Sequence, residues 1–291
     1  MSLYRLEGLS VTIGGRVLVR DLSLEIAPGE CVALAGASGS GKSLTSLSPF
    51  GLSAGQIGGS AMLGGQELAG MDETALRAVR RETVGFVFQQ PLTALTPHLT
   101  SAQHLTECAM QAGGPRPDRP ALADMLDAVG LADPLARLQR YPHQLSGGER
   151  QRLMIACAIA HGPRLLVADE PVSALDAHLR SEIMALLTRL RRETGMGMLL
   201  VSHDLASLEE HADRVLVMQG GAVVEAGPAG TIARAPSHAY SRALWAATPS
   251  LKAPLPDDLP RPGEALVEAH GLTVRFPGSG VLAKPMTAVD S

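Results

Sequence analysis

The sequence predicts an α/β fold, a mainly parallel sheet with an antiparallel β subdomain at its start and a helical subdomain inserted midway. Three observations carry that prediction. Short apolar runs alternate with helical patterns from residue 31 to about residue 220. The first 26 residues alternate apolar and polar side chains instead. From about 92 to 160 the strand signal gives way to helix and loop.

Each element follows in order. "YRLEGLSVTI" (4–13) and "VLVRDLSLEI" (17–26) read as antiparallel strands, turning at Pro28-Gly29 into the apolar strand "CVALAG" (31–36). "SLTSLSPFGL" (43–52) begins as a helix, and residues 72–83 form another. "VGFVFQQP" (84–91) is a strand halted by Pro91. "GGPRPDRP" (113–120) is a surface connection, and "ALADMLDAVGL" (121–131) carries apolar residues at helical spacing. The strand "RLLVADEP" (164–171) precedes a helix with Ile183, Leu186, Leu187 and Leu190 on one face. The strand "GMLLVSHD" (197–204), a short helix from about Leu205 and the strand "RVLVMQG" (214–220) follow, and Gly220-Gly221 closes a hairpin.

The 291 residues are 45% hydrophobic, enough for one large or two modest domains with ample core. A formal net charge of -4 offers no general attraction for nucleic acid or anionic lipid. Cys31, Cys108 and Cys157 share no short spacing, so they read as small apolar residues of a reducing compartment. Arg5 and Glu7 precede any apolar run, which argues against a signal peptide. The longest uncharged stretch, between Lys42 and Glu67, is broken by Pro49 and glycines and is too interrupted to span a membrane. The expectation is a cytoplasmic protein whose membrane role, if any, runs through partners.

Three segments are expected: a domain over 1–247 with its helical part at about 92–160, a proline-rich linker over 248–263, and a further segment over 264–291. "LVEAHGLTVRF" (266–276) repeats the pattern of "LYRLEGLSVTI" (3–13), with Gly271 opposite Gly8. "AVDS" at the end is similar to "VRDLS" (19–23). The order suggests the start of a second copy, cut off before any phosphate loop of its own.

The strongest chemical motif is Gly36-Ala37-Ser38-Gly39-Ser40-Gly41-Lys42-Ser43, a G-x-x-x-x-G-K-[ST] loop after an apolar strand. Glycines let successive N–H groups turn inward on phosphate oxygens, and the following helix adds its dipole. Lys42, one of only three lysines, is placed to reach the β and γ phosphates, and the Ser43 hydroxyl is a magnesium ligand. Asp169 and Glu170 end an apolar strand, where they suit magnesium binding through water and polarisation of an attacking water. Taken alone, the pair is equally a strand-end turn with two surface acids. A second Ser-Gly-Gly turn stands at "QLSGGERQR" (144–152), about a hundred residues after the first loop. Ser146 there can cap a helix whose free N–H groups face an anion.

At "LSGGE" the chain resembles the nucleotide-binding subunits of ATP-binding cassette (ABC) transporters, over roughly residues 3–247. The resemblance implies a P-loop NTPase with a RecA-like core. "VFQQP" is similar to the family's Q-loop with Gln89, "SALD" to the D-loop with Asp176, and "LLVSHD" to the switch-histidine loop with His203. It further implies ATP as substrate, with Gly36, Ser38, Gly39, Ser40, Gly41, Lys42 and Ser43 cradling its phosphates. Magnesium would be held by Ser43, Gln89 and Asp169, and catalysis carried by Glu170, His203 and Gln89. Two cassettes, identical, different or fused, would pack head to tail. Ser146, Gly147 and Gly148 would then meet the ATP on the partner's loop, and Asp176 would lie at the dimer contact.

One family feature is missing: the aromatic residue that stacks on adenine. Ile13 occupies its neighbourhood, Tyr4 comes too early, and Phe276 takes the equivalent place in the partial repeat.

"GKSLT", "VFQQPLTALTPHLT" and "GPAGTIARAPSHAYSRALWAATP" resemble the peptide and nickel importer group, whose ATPases work as pairs or fused tandems. That implies a peripheral ATPase on the cytoplasmic face of the inner membrane. It would power uptake of peptides, nickel chelates or similar small solutes with two permease subunits, and indirectly with a solute-binding protein. The stretch after Gln89 would receive the permease. The tail lacks cysteine, so no iron–sulfur cluster is expected. A soluble ATPase of a non-transport enzyme complex, such as the carbon–phosphorus lyase machinery, carries the same motifs and remains the alternative. A DNA-repair or translation role fits less well, since no basic or coiled-coil insert is present.

Overall fold

Antiparallel pairing opens the chain. In the computed structural model, which describes residues 2–173, 175–247, 270, 271, 273–276 and 286–289, β1 (Tyr4–Ile13) and β2 (Arg16–Ile26) form a hairpin. Leu6 lies opposite Leu24 and Thr12 opposite Val17. Alternation along β1 sends Tyr4, Leu6, Leu9 and Val11 into the core. β3 (Cys31–Ala35) is buried throughout and leads through the phosphate loop into α1 (Lys42–Leu47). α1 gives way at Ser48-Pro49 to a single 3₁₀ turn, with Pro49 unable to donate a backbone hydrogen bond.

β4 (Gln56–Leu63) and β5 (Gln66–Glu67) join β1 and β2 in a four-stranded sheet of order β2-β1-β4-β5. The sequence pattern did not announce these two strands, because glycines interrupt their alternation. Gly59 shows why glycine is there. Its φ is +87° and a Cβ would stand 2.4 Å from the Gly8 carbonyl oxygen, opposite a register shift between Glu7 and Ser10.

α2 (Glu73–Glu82) is capped by the Asp72 carboxylate, which accepts from Ala75 N–H, and β6 (Val84–Val87) follows. β6 ends at Val87, before Phe88, so the strand is not halted by Pro91 as expected; Pro91 instead opens the short α3 (Pro91–Ala94), where a missing N–H costs nothing. The helical part continues through α4 (Ser101–Met110), α5 (Arg119–Ala128), α6 (Pro134–Arg137) and α7 (Gly147–Ile159). Thr100 and Asp118 cap α4 and α5, so the "GGPRPDRP" connection ends at Asp118.

The chain then returns to the core through β7 (Leu165–Asp169), α8 (Ala177–Thr194), β8 (Gly197–Val201), α9 (Leu205–His211) and β9 (Arg214–Gln219). β10 (Ala222–Pro228), α10 (Ala229–Arg234) and α11 (Ala239–Ala246) complete it. The main sheet has the order β10-β9-β3-β8-β7-β6. All its neighbours pair in parallel except β10, which turns back along β9.

Both faces of this sheet are buried, and alternation divides them. Cys31, Ala33, Leu166, Ala168, Met198 and Leu200 face the core shared with the helical part and α8. Val32, Leu34, Leu165, Val167, Leu199 and Val201 face the core shared with the antiparallel sheet. Each fully buried Val, Leu or Met side chain among them contributes about 1.5–3 kcal/mol. Arg191 of α8 ties the start of β3 to this frame: its guanidinium donates to the Gly29 carbonyl at 2.5 Å and to Asp213 at 2.5 Å. Asp213 also accepts the Cys31 N–H at 2.7 Å, so this half-exposed carboxylate has two donors.

The order of the sheet places the chemistry. β3, β8 and β7 are neighbours in register, with Leu34 beside Val201 and Val201 beside Asp169. Their carboxyl ends therefore release the phosphate loop, the Ser202-His203 turn and Asp169-Glu170 at one edge.

The chain divides into two compact units, Met1–Thr248 and Pro249–Ser291. The linker expected over 248–263 lies outside the described residues. In the second unit β11 (Val274–Phe276) pairs antiparallel with β12 (Met286–Val289), Val274 facing Val289. Among the described residues, no helix is long and apolar enough to cross a membrane.

Candidate active site

The phosphate loop is shaped by three left-handed glycines, Gly36, Gly39 and Gly41, at φ +150°, +77° and +101°. At Gly36 the space is also closed, since a Cβ would meet the Met218 carbonyl oxygen at 2.4 Å. Gly36→Ala is therefore expected to cost on the order of 1–3 kcal/mol. A fall of roughly 5 °C in the thermal midpoint, with weaker nucleotide binding, would be its signature. The β9–β10 turn braces the loop from the other side. Gly221 N–H donates to the Ser40 carbonyl at 3.1 Å, and its own carbonyl accepts Arg20 N–H at 2.8 Å. In the sequence Gly220-Gly221 signals only a hairpin.

Lys42 is buried, and its ammonium donates to the carbonyls of Gly36 at 2.8 Å and Ala37 at 3.0 Å. Burial lowers its pKa, and the charges of Glu170 and Asp169 push it back up. The Ser43 hydroxyl donates to Asp169 Oδ1 at 3.0 Å. Burial raises the Asp169 pKa and the Glu170 charge adds to it, while the Ser43 hydrogen bond and Lys42 oppose the rise. Ser43 and Asp169, 126 residues apart, thus present two hard oxygen donors at one point. Magnesium is commonly bound by one or two such groups completed by substrate phosphates and water.

Glu170 is the centre of the arrangement. Its Oε2 accepts Gln89 Nε2 at 3.0 Å and lies 3.3 Å from His203 Nδ1. Its backbone is left-handed, at φ +49°, and is held there by its N–H on the Val201 carbonyl at 2.9 Å and by Ser173 N–H on its own carbonyl at 3.2 Å. A non-glycine residue in this conformation costs about 1–3 kcal/mol, and such strain gathers where side-chain aim matters. The residue before Gln89 belongs to a chain of ring contacts. Phe88 stacks on Phe86 at 5.9 Å, Phe86 meets Phe50 edge-on at 5.4 Å, and Phe50 stacks on Tyr4 at 5.6 Å. Tyr4 is thereby fully buried and cannot stack on a base.

A cleft of about 540 Å³ is lined by Ser38, Gly39, Ser40, Gly41, Lys42, Ser43, Gln89, Glu170 and His203. Its size suits a small molecule. Leu18 of β2 and Leu44 also line it, and neither was anticipated. Leu18 and its neighbour Val17 are exposed apolar residues beside the loop. Their only sequence signal is apolar residues at consecutive positions of an alternating strand. Ile13 does not line this cleft.

Ser146, Gly147, Gly148 and Asp176 are not among the lining residues. Ser146 caps α7 in a reciprocal box with Glu149: its hydroxyl accepts Glu149 N–H at 3.3 Å and its N–H donates to Glu149 at 2.8 Å. Among the described residues, a Cβ at Gly147 would meet open space beyond its own helix, whereas one at Gly148 would touch Leu179. Asp176 caps α8 by accepting Leu179 N–H at 3.0 Å.

The fold and this cleft define a phosphate-loop nucleoside triphosphatase. Comparison with known proteins then narrows the class. The profile of the ABC transporter family matches residues 19–173. The Brucella ovis protein named "Putative peptide import ATP-binding protein" is 43% identical over 246 residues, covering 81% of this chain and 73% of that protein. The ABC transporter ATP-binding protein YejF of Escherichia coli, which bears the name "uncharacterized", is 41% identical over 268 residues, 90% of this chain and 50% of its own length. A solved dimeric ATP-binding cassette in a post-hydrolysis state, bound to ADP and Pi, superposes with a TM-score of 0.68 at 28% identity, covering 78% of this chain and 98% of that one. The chain belongs to the ABC transporter family, and it is an ATP-binding, ATP-hydrolysing cassette.

Proposed function

We propose that this cassette drives import of peptides or similar small solutes by closing on ATP together with a second cassette. One observation carries the reading: Gln89 and His203 converge on Glu170 beside the phosphate loop, while the Ser146-Gly147-Gly148 turn opens a helix outside that cleft. A site so divided is complete only when another cassette supplies its turn. The dimeric state of the solved cassette bound to ADP and Pi supports this arrangement.

In this reading the loop N–H groups and Lys42 hold the phosphates, and Glu170 polarises the attacking water. His203 contacts the γ-phosphate, and Gln89 joins the metal site to the segment that follows it. Ser43, Gln89 and, through water, Asp169 would hold magnesium, which would offset phosphate charge. Asp176 lies at the cassette contact. The partner's Ser-Gly-Gly turn adds the last N–H groups at the γ-phosphate, so hydrolysis weakens the contact.

The names of relatives favour peptides over nickel chelates. The Brucella ovis name specifies peptide import, and the YejF protein of Agrobacterium fabrum, 42% identical over 247 residues, is named for peptidoglycan transport. Two membrane permeases are the proposed partners, reached through residues 92–100, with the cassette on the cytoplasmic face of the inner membrane. Recovery of integral membrane proteins with the tagged chain tests this. Recovery of soluble enzymes alone would overturn the transport role in favour of a non-transport complex.

Residues 264–291 are proposed as the first strands of a second cassette. Gly271 at φ +60° matches Gly8 at φ +58°, and β11 pairs with β12 as β1 pairs with β2. The doubled length of the YejF proteins supports a tandem. A second phosphate loop encoded beyond Ser291 would bear this out; an immediate stop codon would end it.

Ser146→Arg separates the two halves of the site. It removes a cap worth about 1 kcal/mol and places a long cation at the proposed contact. ATP binding to the chain's own loop should persist while ATP-dependent dimerisation is lost. Dimerisation at wild-type strength, followed by light scattering, would remove the turn from the contact.

A further inference from the structure

The phosphate loop makes one bond that the proposed mechanism leaves unused. Ala37 N–H, second in the loop, donates to the Tyr240 hydroxyl at 3.0 Å across 203 residues of chain. Tyr240 lies in the first turn of α11, within the "SHAYSRAL" stretch that follows the last helix of the core. Four hydrogen bonds hold that turn. His238 Nδ1 accepts Tyr240 N–H at 3.2 Å, and Glu225 of β10 accepts Ser237 N–H at 2.7 Å, the Ser237 hydroxyl at 2.8 Å and His238 N–H at 3.1 Å. The Tyr240 ring itself packs on the larger core.

The bond falls on a sensitive place. The Gly36 carbonyl and the Ala37 N–H belong to one rigid peptide plane. Lys42 ammonium holds the oxygen end of that plane at 2.8 Å, and Tyr240 holds its N–H end at 3.0 Å. The backbone here is closely packed, since a Cβ at Gly36 would meet the Met218 carbonyl oxygen at 2.4 Å. The tilt of the peptide plane sets where the ammonium rests, and the ammonium is the group proposed to meet phosphate.

We propose that Tyr240 is a positioning residue for the phosphate loop, orienting the Gly36–Ala37 peptide and through it Lys42, so that ATP affinity depends on α11 being docked by Glu225. This rests on reading the cleft as the ATP site. Because the loop binds ground state and transition state alike, the loss appears in KM and not in kcat.

The test is a titration of the full chain with a fluorescent ATP analogue and magnesium, beside steady-state turnover. Tyr240→Phe keeps the ring and its packing and deletes only the hydroxyl. One neutral hydrogen bond predicts affinity weaker and KM higher by about fivefold, with kcat unchanged. Glu225→Ala should lose affinity to a similar degree. The double variant should be no weaker than Glu225→Ala alone, because an undocked helix no longer presents its hydroxyl. Wild-type affinity in Tyr240→Phe, or losses that multiply in the double variant, would overturn the proposal. A wild-type chain that bound no ATP would instead overturn the nucleotide-site reading on which it rests.

Discussion

Glu170→Gln is expected to bind ATP as tightly as the wild type, to hydrolyse it about 10²–10⁴-fold more slowly, and to accumulate as an ATP-dependent dimer. The amide keeps the shape of the side chain and the strained backbone at φ +49°, so the position of the group survives. What changes is chemical. Oε2 is the atom on which Gln89 and His203 converge, and an amide in its place cannot take a proton from water. With the γ-phosphate uncleaved, the attraction between two cassettes persists. Size-exclusion chromatography with and without ATP, beside a phosphate-release assay, reads both parts. Normal turnover would remove Glu170 from its proposed role, and slow turnover without dimers would remove the shared site.

Lys42→Ala is the second large effect, and it acts one step earlier. The buried ammonium is the charge proposed to meet phosphate, and it also ties the Gly36 and Ala37 carbonyls together. Truncating one partner of a buried, hydrogen-bonded charge pair costs about 2–5 kcal/mol, which is roughly 30-fold or more in affinity. The variant should lose ATP binding, and with it dimerisation and turnover. Equilibrium binding of a fluorescent ATP analogue checks this, and affinity within a few fold of wild type would place the phosphates elsewhere. The two variants differ in kind: Glu170→Gln stops after binding, Lys42→Ala before it.

Much of the fold was legible because local pattern and tertiary role agree. The five-residue runs at 31–35, 165–169 and 197–201 are buried throughout and apolar except for Asp169 at the end of the second, as strands covered on both faces require. Ile183, Leu186, Leu187 and Leu190 are all buried along one side of α8, as their spacing predicts. The misses have a common origin. β4 and β5 were hidden because Gly58, Gly59, Gly64 and Gly65 erase alternation, and the need for Gly59 comes from a bulge in another strand. Pro91 was seen as a stop, but its fixed φ serves as a helix start just as well.

The sequence by itself determined the family and the set of candidate groups: a phosphate loop with its lysine, a pair of carboxylates, a glutamine, a histidine and a second Ser-Gly-Gly turn. Those are properties of short segments, whose side chains and turn glycines act locally. Only the tertiary structure decided which of them meet. The placing of β3 between β8 and β9 sets Lys42, Ser43, Asp169, Glu170 and His203 at one sheet edge, and leaves Ser146 to cap a helix away from it. It also brought Tyr240 to Ala37 and Gly221 to Ser40. Such contacts join residues about 180 to 200 positions apart, and no local preference encodes a partner at that separation; sheet order does.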